Sequence, residues 1–257
     1  MQRYEGLKQR SKAMKTALQI SIVFIVVGYL SAVAAADWTV GDPYKMHYPQ
    51  LPDPNGWDVG WCHTRLADDF QCTESGPISD VHLWVSVQQD DPNVLITNIH
   101  LSIHANIPWE PNTPYSHPGA ILWERDILPY QFTMLQAGQG DQGWDAPWLP
   151  YWLQHDHQYF HQINITDISD PFVQEKDTIY WLDVQGSVAE NSAAVGWKTS
   201  QNHWSDDAVY LEGGNWARLI DPVTGQSLDM AFVITPEPAT LSLLGLGGLA
   251  LLRRKRK

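Results

Sequence analysis

The sequence predicts an all-β protein, built as an antiparallel β-sandwich or jelly-roll-like single domain. Short runs of alternating apolar and polar residues recur along the chain, and clusters of Gly, Pro, Asn and Asp separate them. All 13 Trp lie between Trp38 and Trp216, and such aromatic loading is typical of β-sheets. No amphipathic helical pattern longer than two turns is present. We therefore predict an irregular lead-in at 37–60 and the β-domain at 61–234.

The clearest strand is the run 81–87, in which four apolar residues alternate with His82, Trp84 and Ser86. Pro and Gly predict loops at 108–118 and 138–150, the second with Trp144 and Trp148 exposed or laid over the core edge. Further strands are expected at 99–103, 159–165, 178–184, 195–197, 208–211, 216–219 and 230–234.

The charge of the chain is strongly asymmetric. Ten of the 16 basic residues lie in the first 15 and last five positions, so residues 37–252 contain six basic and 28 acidic residues, a formal net charge of −22. Such a field repels nucleic acid, which excludes it as a partner, and attracts divalent cations. Solubility or a salty habitat explains the acidity equally well.

The N-terminus has the pattern of a secretory signal. Basic residues precede an apolar run at 17–30, and the small residues Ala34 and Ala36 fit signal peptidase, which predicts a signal peptide at 1–36. The leader is long, so Met14 is an alternative start to Met1. A retained membrane anchor is the alternative interpretation.

The C-terminus has three parts: Pro236-Glu237-Pro238, an apolar segment at 239–252, and five consecutive basic residues. This ending, 235–257, resembles the PEP-CTERM sorting signal. The resemblance implies export, transient anchoring in the inner membrane by the apolar helix, removal of the tail by exosortase, and release to the cell surface or extracellular matrix. A plain tail anchor is the alternative.

The body also resembles an uncharacterised domain found in exported PEP-CTERM proteins. The resemblance spans most of 60–234 and brings no known activity. It rests on the segments 66–70, 178–183, 197–200, 203–207 and 228–232.

Cys62 and Cys72 are the only cysteines, and both belong to the exported part. An even pair in an oxidising compartment predicts a disulfide.

Two acidic pairs, Asp68-Asp69 and Asp206-Asp207, lie beside apolar residues near predicted strand ends. Adjacent carboxylates repel one another unless they are solvated, hydrogen-bonded or bridged by a cation. They are candidate Ca²⁺ ligands, and the alternative is that one Asp of each pair caps a turn while the other faces solvent.

A second candidate metal site is formed by three histidines. His155, His157 and His161 have a spacing that would place them on one face of a strand, where they could bind zinc, although no fourth ligand follows.

Two functional classes remain open. The first is a non-catalytic surface or matrix protein that binds an acidic or neutral exopolysaccharide through exposed Trp and Tyr. The second is a secreted carbohydrate-active hydrolase with paired carboxylates. No nucleophile-elbow, zinc-protease or phosphate-loop motif is present, which favours the non-catalytic class.

Overall fold

The computed structural model describes residues 37–111 and 113–236. The predicted signal peptide, with Ala34 and Ala36, and the tail from Glu237 onward lie outside these residues. No helix in the described ranges is long and apolar enough to cross a membrane.

The described residues form β-strands joined by turns and two short 3-10 turns, Gln88–Asp90 and Pro129–Gln131. The strands are β1 (Trp57–Gly60), β2 (Leu66–Gln71), β3 (Gly76–Pro77), β4 (Asp80–Val87), β5 (Ile96–Ile107), β6 (His117–Ile127), β7 (Phe132–Asp145), β8 (Trp152–Ile165), β9 (Val173–Gln174), β10 (Ile179–Val188), β11 (Val195–Lys198), β12 (Val209–Glu212), β13 (Asn215–Arg218) and β14 (Phe232–Thr235).

Two six-stranded sheets account for most of these strands, and β3 and β9 form a separate two-stranded ribbon. The first sheet has the order β11-β1-β7-β8-β4-β14, and the second has the order β13-β12-β2-β10-β5-β6. All pairs are antiparallel except the parallel pair of β1 and β7. The all-β, antiparallel prediction is confirmed.

The apolar core lies between the sheets. Leu83 and Val85 of the first sheet and Leu101 and Leu182 of the second belong to one cluster of buried side chains. The alternation predicted for β4 places its four apolar residues on this inner face. Large aromatic residues fill the same cluster, and the fully buried ones are Trp61, Phe70, Trp197 and Phe232.

The first sheet closes on itself. In addition to its linear order, β11 pairs with β4 through the register Trp197↔Val85, so that β4, β8, β7, β1 and β11 form a continuous hydrogen-bonded ring. We call these five strands the ring. Since β14 pairs with the N-terminal half of β4 and β11 with its C-terminal half, β4 carries both partners on one edge.

The loop expected at 138–150 is largely strand, because β7 continues to Asp145. The glycines that favoured a loop are positions where another residue lies too close for a side chain: a Cβ at Gly138, Gly140 or Gly143 would clash with Phe160, Pro54 or Trp57, respectively. Glycine in a strand here marks close approach rather than a turn. Trp144, expected at the surface or core edge, is buried.

The lead-in at 37–60, expected to be irregular, ends in β1. β1 is short and lies between β11 and β7, so its identity as a strand depends on partners distant in sequence. The predicted strand at 81–87 and the seven others predicted with it each correspond to an observed strand, and several of these are longer than expected.

The predicted disulfide is wrong, because Cys62 and Cys72 are both free. The extended strand β2 separates them. Its six residues at about 3.3 Å each span roughly 20 Å, whereas a disulfide needs Cα atoms within about 7 Å. Burial raises the pKa of the Cys72 thiol to about 12 and also raises that of Cys62, so both thiols are poor nucleophiles.

We therefore expect both thiols to react with an alkylating reagent once the protein is unfolded, without any reductant. The folded protein should react slowly, with Cys62 labelled before the fully buried Cys72. The measurement is the mass of the alkylated protein in denaturant with and without reductant. Labelling that requires reductant would show that the cysteines are bridged.

Candidate functional site

The connection between β7 and β8 carries a cluster of exposed apolar and aromatic side chains beside a buried acidic group. Leu149, Tyr151 and Trp152 are 41%, 54% and 45% exposed, and they follow one another at the end of the hairpin. We call Trp148, Leu149, Tyr151 and Trp152 the aromatic tip. Three apolar side chains so close in sequence and so exposed are typical of a binding surface rather than of a monomer's ordinary surface.

The base of the tip is fixed by packing. Trp148 lies edge-on to His63, with ring centroids 5.9 Å apart, and a Cβ at Gly60 would lie only 3.0 Å from its ring. The turn before Tyr151 is closed by the Leu149 amide, which donates to the Ala146 carbonyl at 2.7 Å. The exposed rings therefore stand on an ordered turn.

A buried carboxylate lies beside the exposed rings. Asp145 is directly opposite Trp152 in the hairpin register, so both side chains project from the same face. The pKa of Asp145 is raised to about 6, chiefly by burial and to a smaller extent by the charge of Asp221, while a hydrogen bond from the Ala146 backbone opposes the rise. Asp145 thus keeps its proton into the mildly acidic range.

Asp221, whose charge acts on Asp145, has the opposite shift. Burial raises its pKa, but hydrogen bonds from the backbone amides of Thr224 and Val223 and from Trp57 outweigh burial, so the pKa of Asp221 is lowered. The charge of Asp145 also contributes to the raised pKa of Tyr210, after burial and Glu212. Asp145, beside the aromatic tip, and Asp221, close enough to act on it, are therefore two carboxyl groups with opposite pKa shifts.

The first predicted acidic pair is divided by its own strand. By the period of two along β2, Asp68 shares the inner face with Leu66 and Phe70, while Asp69 faces outward. The oxygens of Asp68 accept hydrogen bonds from Gln50 Nε2 and the Met230 amide, each at 2.7 Å, and from the Asp69 amide at 2.8 Å. Burial and the charges of Asp229 and Asp69 nevertheless raise its pKa well above the usual range.

Asp69 is fully buried, and neither of its carboxylate oxygens has a hydrogen bond of good geometry. Burial raises its pKa to about 8; the Ser205 hydroxyl and the Asp206 backbone lower it in part, while the charges of Asp206 and Asp229 raise it. Asp229 bonds His203 at 2.8 Å and the Trp204 amide at 2.7 Å, and burial raises its pKa to about 6.

The second acidic pair has other partners. Ser116 donates a very short hydrogen bond to Asp206, and Arg218 pairs with Asp207 at 3.2 Å. Among the described residues, no group of three or more His, Cys, Asp or Glu side chains is arranged to hold a metal ion. Calcium binding by Asp68, Asp69, Asp206 and Asp207 therefore stays a prediction, and of these four residues Asp69 is the one in which neither oxygen has a hydrogen bond of good geometry.

The three histidines of the zinc hypothesis do not converge. His155 has a φ of 55°, is exposed, and pairs with Asp141 at 2.5 Å. His157 is buried in the ring and bonds Asp58 Oδ2 at 2.9 Å. Between His157 and His161 the strand bulges, since the amides of both Gln158 and Tyr159 donate to Asp90. The bulge breaks the alternation on which the zinc prediction depended.

Sequence reasoning missed a polar cluster on β5 and β10. Asp183 Oδ2 contacts His104 Nε2 at 3.0 Å and Ser102 Oγ at 3.1 Å, and Arg65 bonds the same oxygen. His104 Nδ1 faces the Gly119 carbonyl at 2.9 Å, and Ser102 Oγ contacts Nε2 at 3.1 Å.

Because Ser102 and Asp183 share one nitrogen of His104, the cluster lacks the relay in which a Ser and an Asp occupy opposite nitrogens. We interpret it as a structural network. Asp183 and Ser102 are directly opposite each other on β10 and β5. The sequence alone could not show this pair, because the register of the two strands was not known.

The fold and these sites define a β-sandwich protein with a closed first sheet and no recognisable catalytic relay among the described residues. Residues 46–235 match the family described as Domain of unknown function (DUF7901), and the chain belongs to that family. Residues 235–257 match the PEP-CTERM protein-sorting motif, which marks an exported protein that is anchored transiently in the membrane and processed by exosortase. No curated protein and no solved structure matches the chain.

The unpartnered Asp69 makes stability depend on pH. Its pKa is 3.8 ordinarily and about 8 in the folded protein, so the folded state holds the proton more tightly than the unfolded chain. That stabilisation is complete below pH 3.8 and is lost as the pH rises to about 8. We expect Asp69→Asn, which stays neutral, to melt about 2–4 °C above the natural protein at pH 8, the shift produced by about 1 kcal/mol.

The measurement is the melting midpoint between pH 5 and pH 8, with the exposed Asp177→Asn as a matched control. An equal pH dependence in the natural protein and in Asp69→Asn would contradict the assignment. Calcium is tested in the same series. If Asp69 is a ligand, calcium should raise the melting midpoint of the natural protein more than magnesium or sodium chloride does at matched ionic strength. This extra rise should be absent in Asp69→Asn.

Proposed function

We propose that this exported protein binds a neutral extracellular polysaccharide through the aromatic tip. The observation that supports the proposal is the exposure of Tyr151 and Trp152 next to the buried carboxyl of Asp145. The proposal covers a surface or matrix role without catalysis.

The chemistry of the tip suits a sugar. Pyranose rings present flat faces of C–H groups, and the electron-rich face of Trp or Tyr packs against such groups over a large apolar area. Specificity at such sites comes from a few polar groups placed beside the rings. Asp145, opposite Trp152, is positioned to bond sugar hydroxyls as an acceptor when ionised and as a donor when protonated.

The negative charge of the body favours neutral over anionic polysaccharides as ligands. Residues 37–252 carry a formal net charge of −22, which disfavours close approach of a polyanion. Of the acidic and neutral polymers that the sequence left open, the neutral class is therefore favoured. The PEP-CTERM motif is consistent with this role, since it sends the protein to the side of the membrane where such polymers lie.

Truncating the tip should weaken binding without unfolding the protein, because the changed side chains are exposed. We expect Tyr151→Ala and Trp152→Ala each to lower retention on a neutral polysaccharide by about tenfold, equivalent to about 1.4 kcal/mol. The measurement is affinity electrophoresis or a pull-down on insoluble neutral polymers. Tyr130→Ala is the matched control, since Tyr130 is 82% exposed but lies beyond the opposite end of the 14-residue strand β7.

Equal losses in Tyr130→Ala and Tyr151→Ala would mean that retention is a general surface effect. Stronger retention on an anionic polymer than on a neutral one would contradict the charge argument.

A second candidate function is glycoside hydrolysis at the same place. The observation that favours it is the opposite pKa shift of Asp145 and Asp221, because a glycosidase needs one protonated carboxyl as acid and one ionised carboxylate. In this role Asp145 would donate the proton to the leaving oxygen, and Asp221 would act as the base or nucleophile.

Asp145→Asn separates the two candidates. If the protein is a hydrolase, this variant should lose at least about a hundredfold in rate, the usual contribution of a general acid, while still binding polymer. Reducing-sugar release from a panel of glycans is the measurement, with Asp177→Asn as the exposed control. If the natural protein retains polymer but releases no sugar, the binding function stands and the hydrolase is rejected.

A further inference from the structure

The ring encloses a polar cluster that no part of the proposed function uses. Each of the five ring strands contributes one buried side chain, and these five side chains contact one another. They are Asp58 of β1, Ser86 of β4, Gln142 of β7, His157 of β8 and Lys198 of β11. Since every strand of a closed ring contributes, these side chains occupy its interior.

Lys198 lies at the centre of this cluster and is 0% exposed. Its Nζ is 2.5 Å from Gln142 Oε1 and 3.0 Å from Asp58 Oδ2. The ring of Phe160 lies on another side, with its centroid 5.4 Å from Nζ. A buried lysine held between an amide and a carboxylate has a reactive partner and a base in contact with the same nitrogen.

The other contacts orient the amide of Gln142. Ser86 Oγ donates to Oε1 at 3.2 Å, and Nε2 donates to the Gln158 carbonyl at 2.6 Å. The amide is therefore held at both ends, and when Nζ acts as the nucleophile Ser86 is the donor that remains on the carbonyl oxygen. Donors aimed at a carbonyl oxygen stabilise the negative charge that develops there when a nucleophile adds.

We propose that Lys198 and Gln142 react with each other after folding to form an intramolecular isopeptide bond between Nζ and Cδ, which cross-links β11 to β7 inside the ring. Asp58 is the base of this reaction. The reaction modifies the protein itself and is independent of any ligand at the aromatic tip.

The reaction needs no external reagent. The Asp58 carboxylate takes a proton from the Lys198 ammonium, and the freed lone pair on Nζ attacks Cδ of Gln142 while the carbonyl electron pair moves onto Oε1. Asp58 then gives its proton to Nε2, the Cδ–Nε2 bond breaks, and its electron pair leaves with ammonia. The second proton lost by Nζ leaves with that ammonia, so one ammonium ion is released for each bond formed.

Proximity accounts for a reaction that free lysine and glutamine do not undergo. Reacting groups held about 3–3.5 Å apart in the right orientation gain effective concentrations of about 10⁵ M or more. Nζ already contacts Oε1, which is one bond from Cδ, and Ser86 and Asp58 are in place before the reaction begins.

Asp58 is the alternative acceptor for the lysine, but its environment disfavours that role. An ionised carboxylate repels a nucleophile, and Asp58 Oδ2 contacts two cationic or hydrogen-bonding groups, Lys198 and His157. Burial raises the pKa of Asp58, but the charge of Lys198 and the hydrogen bond from His157 outweigh burial and lower it. Asp58 therefore stays ionised, and an ionised carboxylate is a poor electrophile, whereas the neutral amide of Gln142 is a better one.

Peptide mapping of the folded, purified protein tests the proposal. Trypsin cannot cleave after an acylated lysine, so we expect one branched peptide that joins 126–176, which contains Gln142, to 177–218, which contains an uncleaved Lys198. Its mass should equal the sum of the two peptides less one ammonia. Fragmentation should place the branch at Gln142 and Lys198.

Two other outcomes would overturn the proposal. A loss of one water with the branch at Asp58 would show that the carboxyl is the acceptor, and cleavage after Lys198 with full masses for both peptides would show that no bond forms. The natural protein supplies this result even if a variant fails to fold.

Variants assign the roles. Lys198→Arg and Asp58→Asn should both abolish the branched peptide, whereas the exposed Lys176→Arg should keep the branch between Gln142 and Lys198. If Asp58→Asn folds, as judged by a cooperative melting transition, and still forms the branch in full, Asp58 is not the base.

Discussion

The ion pair of Lys198 and Asp58 is the interaction on which the first sheet depends. Both side chains are fully buried, and moving two charges out of water costs several kcal/mol each unless their remaining groups are also bonded. The ring satisfies that condition, because Gln142 accepts from Lys198 while His157 bonds Asp58. In the unreacted protein, removing either charge by substitution would leave the other uncompensated, a loss of about 3–5 kcal/mol. Once the proposed isopeptide bond has formed, Lys198 is neutral and His157 is the remaining partner of Asp58.

The same pair connects distant parts of the chain. Asp58 and Lys198 are directly opposite each other on β1 and β11, and β1 runs parallel to the end of β7. A short strand such as β1 has little intrinsic stability, so its place between β11 and β7 is fixed by these partners and by the charge beneath them. The ring forms only when segments far apart in sequence have come together. For this reason, no local sequence pattern predicted the closed sheet.

Period-two alternation was sufficient to predict most of the sandwich. β4, β5 and β10 were predicted as strands correctly, because one face of each packs against the core and burial of that face imposes the alternating apolar pattern. The same reasoning failed at β7, where Gly138, Gly140 and Gly143 make room for neighbours that the sequence cannot locate. The disulfide prediction failed because the spacing of two cysteines along the chain does not show that an extended strand lies between them.

The candidate sites were less predictable than the fold, for a related reason. Adjacent aspartates such as Asp68 and Asp69 attract attention in a sequence, yet neighbours in a strand face opposite ways. Asp145 and Asp221 act on each other although they lie far apart along the chain, and no local pattern distinguishes this pair among the 28 acidic residues of the body. Trp148 and Leu149 of the aromatic tip lay in the predicted loop 138–150, at a point where the structure also has no strand, and Tyr151 and Trp152 lay just beyond it.

β7 makes the ring and the aromatic tip parts of one mechanical unit. Gln142 lies inside the ring, and the ring of Trp144 covers Gly60 and Gly196, where a Cβ would be only 3.1 and 3.0 Å from it. Trp144 therefore closes the ring at the point where the strand leaves it, and the next residue, Asp145, lies opposite Trp152. The exposed side chains of the tip are therefore attached directly to the packed end of the ring.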